Sequence, residues 1–133
     1  MDIVGLGTAI IECLRIREMI EMHGEKFLTH VYTAAEIHFC QARTHATEHF
    51  AARWAAKEAV LKSLGLNTAR SVGWTEVETR TDPSGAATVV IAGRAGERMA
   101  AREVGDVRVA MAYCRSYATA TAMALRGLQR TEE

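Results

Sequence analysis

Proline is nearly absent from this 133-residue chain, with Pro83 the only one. Proline interrupts helix interiors and sheet ladders alike, so its scarcity leaves long elements unbroken on either side of one strong turn. Cysteine is scarce and odd in number: Cys13, Cys40 and Cys114 include no CxxC pair. That excludes a disulfide framework and a paired-cysteine zinc site, and fits reduced thiols in a cytosolic protein. An excess of either charge is missing too, since sixteen basic residues balance sixteen acidic ones. No overall field therefore draws the chain to nucleic acid or to a membrane. No apolar run is long enough to span a bilayer. The opening MDIVGLGTAIIECLRI carries Asp2 and Glu12 and no basic n-region, so a cytoplasmic location without a signal peptide is expected.

What the chain does have is a helix at its centre. Phe50 to Gly65, FAARWAAKEAVLKSLG, contains no glycine or proline before Gly65 and is rich in strong helix formers. At about 100° per residue Phe50, Trp54 and Leu61 share an arc, and Ala51, Ala52, Ala55, Ala56 and Ala59 cover much of the rest. A helix that is apolar or tiny nearly all round is a buried one, and its alanines let other backbone come close. Glu58 and Lys62 lie one turn apart on one flank, Arg53 and Lys57 on another. A Glu four residues before a Lys is also the favoured surface pair of any helix, worth about 0.2–0.5 kcal/mol. Glu58, however, sits between Trp54 and Leu61, and a carboxylate at such a border is usually paired or holds a cation.

Around that helix the pattern predicts a short strand from Ile3 into a turn at Gly5-Leu6-Gly7, then a helix over Ile10 to Met22 bearing Glu12 on its surface. A lone GxG is a weak nucleotide signal. A short helix over Glu25 to Val31 follows, and Thr33 with Glu36 forms a capping-box pattern opening another through Gln41. His38, Cys40, His45 and His49 invite a metal site, but lacking a zinc-type partner they read as surface and capping residues, with Thr44 or Thr47 available to cap the central helix. Val72 to Thr81 alternates as a strand, Asp82-Pro83-Ser84-Gly85 turns it, and Ala87 to Ala92 returns. A helix over Gly93 to Glu103 precedes a second hairpin, Val107 to Cys114 with Tyr117 to Leu125. The whole is expected to be one α+β domain, residues 1–126, with an antiparallel sheet packed on the long central helix and a charged tail at 127–133.

The helix phrase, together with Lys62 and Gly65, resembles the signature of phosphopantetheinyl transferases, most closely the short, single-domain holo-acyl-carrier-protein synthase type. Gly5-Leu6-Gly7 with Glu12, Arg15 and Ile16, then Thr33 with Glu36, the Asp-Pro-Ser-Gly hairpin, and the closing run Cys114 to Ala120 agree in order. The resemblance spans about Ile3 to Leu125. It implies a homotrimer with active sites between subunits, coenzyme A as donor, Mg²⁺, an apo acyl carrier protein as acceptor and a place in fatty acid biosynthesis. A carrier serine would attack the coenzyme A pyrophosphate and release adenosine 3′,5′-bisphosphate. By residue, it implies Glu58 and Lys62 as catalytic groups, Glu58 as the metal ligand, and Arg53, Lys57, Lys62, Gly65 and Gly85 as cofactor contacts. Arg15 would dock the carrier.

Several positions depart from the family pattern. Its metal-binding Asp is Ala9, its His is Tyr113, and two serines before that His are Ala110 and Ala112. A glycine before the signature Arg is Ala52, a Lys-Pro after the hairpin glycine is Ala86-Ala87, and a Thr-Gly after Gly65 is Leu66-Asn67. Mg²⁺ commonly takes one or two carboxylates with phosphate oxygens and water, so Glu58 alone implies weakened or lost metal binding. A phenol is a poor Mg²⁺ ligand and titrates at about pH 10. Loss of a general base costs about 10²- to 10⁴-fold in rate. Three outcomes follow: a slow transferase, a catalytically impaired relative that binds coenzyme A, a carrier protein or an active paralogue, or a structural oligomer with no retained ligand.

Overall fold

The structure, a computed structural model, describes residues 2–67 and 73–127. The chain runs β1 (Ile3–Glu12), α1 (Cys13–His23), α2 (Glu25–Val31), α3 (Ala34–Gln41) and α4 (Ala46–Ser63). After a 3₁₀ turn at Trp74–Glu76 come β2 (Val77–Thr81), β3 (Ala87–Ile91), α5 (Gly93–Ala101), β4 (Val104–Tyr113) and β5 (Tyr117–Arg126). This is the expected α+β architecture. Three strands form an antiparallel sheet in the order β1-β5-β4, and β2 with β3 forms a separate hairpin.

The sheet lies on α4 through small residues. Ala118, Ala120, Ala122 and Ala124 of β5 are buried, as are Ala51, Ala52, Ala55, Ala56 and Ala59 of α4. One apolar cluster joins α4 to the sheet and to Val77 and Ala95. A second gathers Ile16, Phe27, Leu28, Val31, Tyr32 and Phe50 beneath α1 and α2. Tyr32, fully inside, donates its hydroxyl to the Phe50 carbonyl at 2.7 Å.

The first strand is longer than the sequence implies, and the reason is physical. Gly5-Leu6-Gly7 is no turn: it lies within β1, which pairs with β5 through Glu12↔Tyr117. A Cβ on Gly5 would stand 2.0 Å from the Ser63 carbonyl oxygen, and one on Gly7 2.0 Å from that of Ala59. The glycines let strand backbone lie directly on helix backbone. The expected helix from Ile10 therefore begins only at Cys13. Glu12 ends the strand instead of sitting on the helix surface. The alternation of Gly7 and Ala9 inward with Leu6, Thr8 and Ile10 outward is the period that marks it.

Other boundaries shift less. α4 starts at Ala46, behind an N-cap position at His45 that makes no side-chain cap, so neither Thr44 nor Thr47 takes that role. The strand expected from Val72 begins at Val77, because Trp74–Glu76 form the 3₁₀ turn; Val72 itself lies outside the described residues. Residues 128–133 of the expected tail also lie outside them. The capping box of α3 is present, with the Glu36 amide donating to Thr33 Oγ1 at 3.3 Å and the Thr33 amide donating to Glu36 Oε1 at 2.8 Å. Among the described residues no helix is long and apolar enough to cross a membrane.

Gly7→Ala tests the backbone contact. An added methyl meets carbonyl oxygen rather than a yielding side chain, so urea unfolding should show a loss of about 3 kcal/mol; a loss within error of zero would mean β1 does not rest on α4 as described.

Candidate active site

The last two turns of α4 carry Glu58 and Lys62 to the edge of the sheet. Lys62 Nζ lies 3.0 Å from Glu58 Oε1 and donates to the Thr8 carbonyl of β1 at 3.0 Å. That second bond exists because Gly7 and Ala9 bring β1 down onto the helix. The two charged groups line a cleft of about 440 Å³ with Thr8, Ala9, Ile10, Thr119, Ala120 and Thr121. A second cleft, of about 190 Å³, is lined by Glu58, Lys62, Leu66 and Asn67. The Lys62 side chain is about half exposed and that of Glu58 is 22% exposed.

The helix end beside this cleft is held by α5. Arg98 donates from Nε to the Leu64 carbonyl at 3.3 Å and from Nη2 to that of Gly65 at 3.4 Å. Cationic donors on terminal carbonyls complement the helix dipole. Gly65 has φ +74°, and a Cβ there would come 2.8 Å from Arg102 Nη1, so glycine suits both the turn and the packing.

Lys57 is elsewhere. It is 0% exposed, its ammonium 2.6 Å from Glu36 Oε1, and it donates to the carbonyls of Trp74 (3.2 Å) and Val77. Glu36 Oε2 accepts from both the amide and the hydroxyl of Thr79 at 2.7 Å. Burial lowers the Lys57 pKa, with Glu36 acting against that shift. The expected cofactor contact is thus corrected: all of this ammonium's described partners lie inside the chain, where they tie α3, α4 and β2 together. Removing one partner of such a pair costs about 3–5 kcal/mol.

Arg53 heads a third cluster. It is 3% exposed, donates from Nη2 to Thr81 Oγ1 at 2.8 Å, and its Nε finds no acceptor among the described residues. Its guanidinium and that of Arg43 both lie over the Phe39 ring, 4.0 and 3.3 Å from the centroid. Phe39 meets the His49 ring edge-on at 5.9 Å. The Tyr113 hydroxyl lies 3.4 Å from His49 Nε2. Tyr113 thus faces a histidine of α4. Burial, then Arg53 and Arg43, lower the His49 pKa, so the ring favours its neutral form.

Other expected positions do not join a cleft with Glu58. Gly85, at φ +91°, lies at the hairpin turn that the Asp82 carboxylate and carbonyl secure, and among the described residues beyond its chain neighbours no atom stands within 4 Å of where its Cβ would be. The structure assigns it to the turn. Arg15 is exposed on α1 beside the exposed Leu14, Met19 and Met22. Glu12 lines a different cleft, of about 390 Å³, with Arg17, Arg115 and Tyr117. Among the described residues no three His, Cys, Asp or Glu side chains converge on a cation position. At the Glu58 cleft the donor set is one carboxylate, already ion-paired, beside the methyl of Ala9, which does not fit a resident Mg²⁺. Sequence reading missed Arg43 and Phe39, although their spacing of four on adjoining turns offered a signal; the Tyr113–His49 contact had none, being long-range.

A profile of the 4'-phosphopantetheinyl transferase superfamily matches residues 5–122. The chain belongs to that superfamily. It is 44% identical over 120 residues to the holo-[acyl-carrier-protein] synthase of Rhodopirellula baltica, covering 90% of this chain and 95% of the relative. A holo-(acyl-carrier-protein) synthase from Bacillus anthracis, solved in complex with CoA (3',5'-ADP), superposes with TM-score 0.77 at 27% identity, over 94% of this chain and 98% of that one. The Neisseria meningitidis holo-[acyl-carrier-protein] synthase shares the fold at TM-score 0.85 and 22% identity, over 94% and 100% of the two chains.

The environment of His49 is open to direct test. Its imidazole should titrate by NMR below the ordinary value of about 6.5, and Arg43→Ala should raise that midpoint by removing a repelling cation. Between the lowered midpoint and about 6.5 the unfolded chain binds the extra proton, so this residue's contribution to stability falls as pH drops through that window. A midpoint at or above 6.5 would contradict the packing described.

Proposed function

We propose that the chain transfers 4'-phosphopantetheine from coenzyme A to a serine of an apo acyl carrier protein, slowly relative to synthases that keep the Asp and His. The observation that carries this reading is the paired presentation of Glu58 and Lys62 in one cleft, on a helix phrase shared with the superfamily. Lys62 would hold the pyrophosphate, and Glu58 is the carboxylate nearest to accept the serine proton. The serine oxygen bonds to the phosphorus bearing pantetheine, the bond to the departing phosphate breaks, and adenosine 3′,5′-bisphosphate leaves. Resident Mg²⁺ has no step in this scheme.

The site would be completed between copies of the chain. Arg53 and Lys62 are nine residues apart on α4, about 13 Å along the axis. Arg53 lies mid-helix with Arg43 and Phe39, and Lys62 lies in the last turn with Glu58. The outer face of the sheet carries Leu6 at 63% and Ile10 at 64% exposure, with Thr8, Thr119, Thr121, Ala110 and Ala112. A flat apolar and hydroxyl face of this kind is an association surface, which supports the homotrimer. A neighbour seated there would bring its own exposed Arg43, with Arg53 buried behind it across the Phe39 ring, towards a coenzyme A whose pyrophosphate rests on Lys62. Arg15, with Leu14, Met19 and Met22, is the proposed carrier-docking patch. Glu18 and Glu21 on the same helix reduce its attraction for an acidic carrier. A cytoplasmic location follows from such partners.

A second reading, binding without turnover, is favoured by Ala9, which puts a methyl in the cleft where a carboxylate is absent. Intact-mass measurement of an apo acyl carrier protein incubated with the chain and coenzyme A separates the two. Transfer is expected at a rate about 10²- to 10⁴-fold below that of the Rhodopirellula relative, rising in the double variant Ala9→Asp with Tyr113→His. A carrier left unmodified while the relative converts it sinks the transferase reading.

A further inference from the structure

We infer that the Glu58–Lys62 cleft binds the coenzyme A pyrophosphate without a divalent cation, Lys62 serving as the tethered cation between carboxylate and phosphate. This rests on the reading that coenzyme A is the ligand of that cleft.

The inventory of the cleft leads there. Its lining offers one carboxylate, one ammonium, threonines of β1 and β5, and the alkyl groups of Ala9, Ile10 and Ala120. Mg²⁺ requires near-octahedral oxygen donors at about 2.0–2.1 Å and is usually anchored by carboxylates. Here Oε1 of Glu58 is already 3.0 Å from Lys62 Nζ. A dication on that carboxylate would stand beside a fixed positive charge, and with no second anionic side chain among the lining residues only the pyrophosphate itself would offset the repulsion. Ala9 is 8% exposed and has no oxygen on its side chain to contribute.

Lys62 meets the same requirement from within the chain. An ammonium has three donors, and those of Lys62 serve the Thr8 carbonyl and Glu58 among the described residues. Two fixed acceptors orient the head group, and its half-exposed position leaves the remaining donor towards the open cleft. A phosphate oxygen meeting that donor makes a charge-assisted hydrogen bond. Lys62 then touches carboxylate and phosphate at once, the bridging position a metal ion would otherwise take.

Calorimetric titration of the full chain with coenzyme A, once in excess EDTA and once in saturating Mg²⁺, tests this. The dissociation constants should agree within about twofold, and Lys62→Met should weaken binding about tenfold or more in both buffers. Ala9→Asp, which adds a carboxylate next to the pyrophosphate, should weaken binding in EDTA and recover it in Mg²⁺. Binding about tenfold or more tighter in Mg²⁺, or a Lys62→Met variant that binds like the parent, overturns the inference and leaves coenzyme A as the ligand. Absence of heat in both buffers from a chain folded by circular dichroism overturns the coenzyme A reading and this inference with it.

Discussion

The rest of the molecule depends on one contact, the seating of strand backbone on helix backbone where β1 crosses α4. With glycine at positions 5 and 7, the strand comes so near that a single methyl would strike the carbonyls of Ser63 or Ala59. The alanines of α4 and β5 extend the same close approach across the sheet. Close packing of small groups leaves little slack, so the position of β1 fixes the position of everything the helix carries. The Thr8 carbonyl then lies within reach of Lys62. Spacing on the helix alone gives a Glu–Lys pair; the strand turns that pair into a cleft with an oriented ammonium.

Two lysines of α4, each paired with a glutamate, show how burial separates roles that residue type leaves equal. Lys57 and Glu58 are neighbours in sequence but point about 100° apart around the helix. Lys57 is drawn into the interior and held by Glu36 and two carbonyls, which locks the hairpin and α3 to the helix. Glu58 and Lys62 remain accessible at the edge. The buried pair is a structural clamp, and the open pair stays accessible to solvent. Arg53 occupies a third condition: buried like Lys57, yet with an Nε that no described acceptor satisfies.

Much of this was legible in the residues. The all-round apolar character of Phe50 to Gly65 announced a buried helix, and Thr33 with Glu36 announced a cap that is present. The hairpin at Asp82 to Gly85 followed from turn chemistry. The extent of β1 was not legible, because glycines used as spacers look like glycines used in turns until the helix beneath them is known. Nor was the fate of Lys57: its partner Glu36 already had a complete local role in the capping box, and the second role needs the chain to fold back on itself. The pairing of Tyr113 with His49 also joins distant segments, and periodicity carries no information about it.

The central claim is that coenzyme A lies between two copies of the chain, anchored on the accessible lysine of α4. A crystal structure of the complex tests it most directly. The account predicts a pyrophosphate oxygen within hydrogen-bond distance of Lys62 Nζ of one copy, with another phosphate approached by the exposed Arg43 of its neighbour. A coenzyme A held wholly by one copy, or with its phosphates away from Lys62, would contradict it.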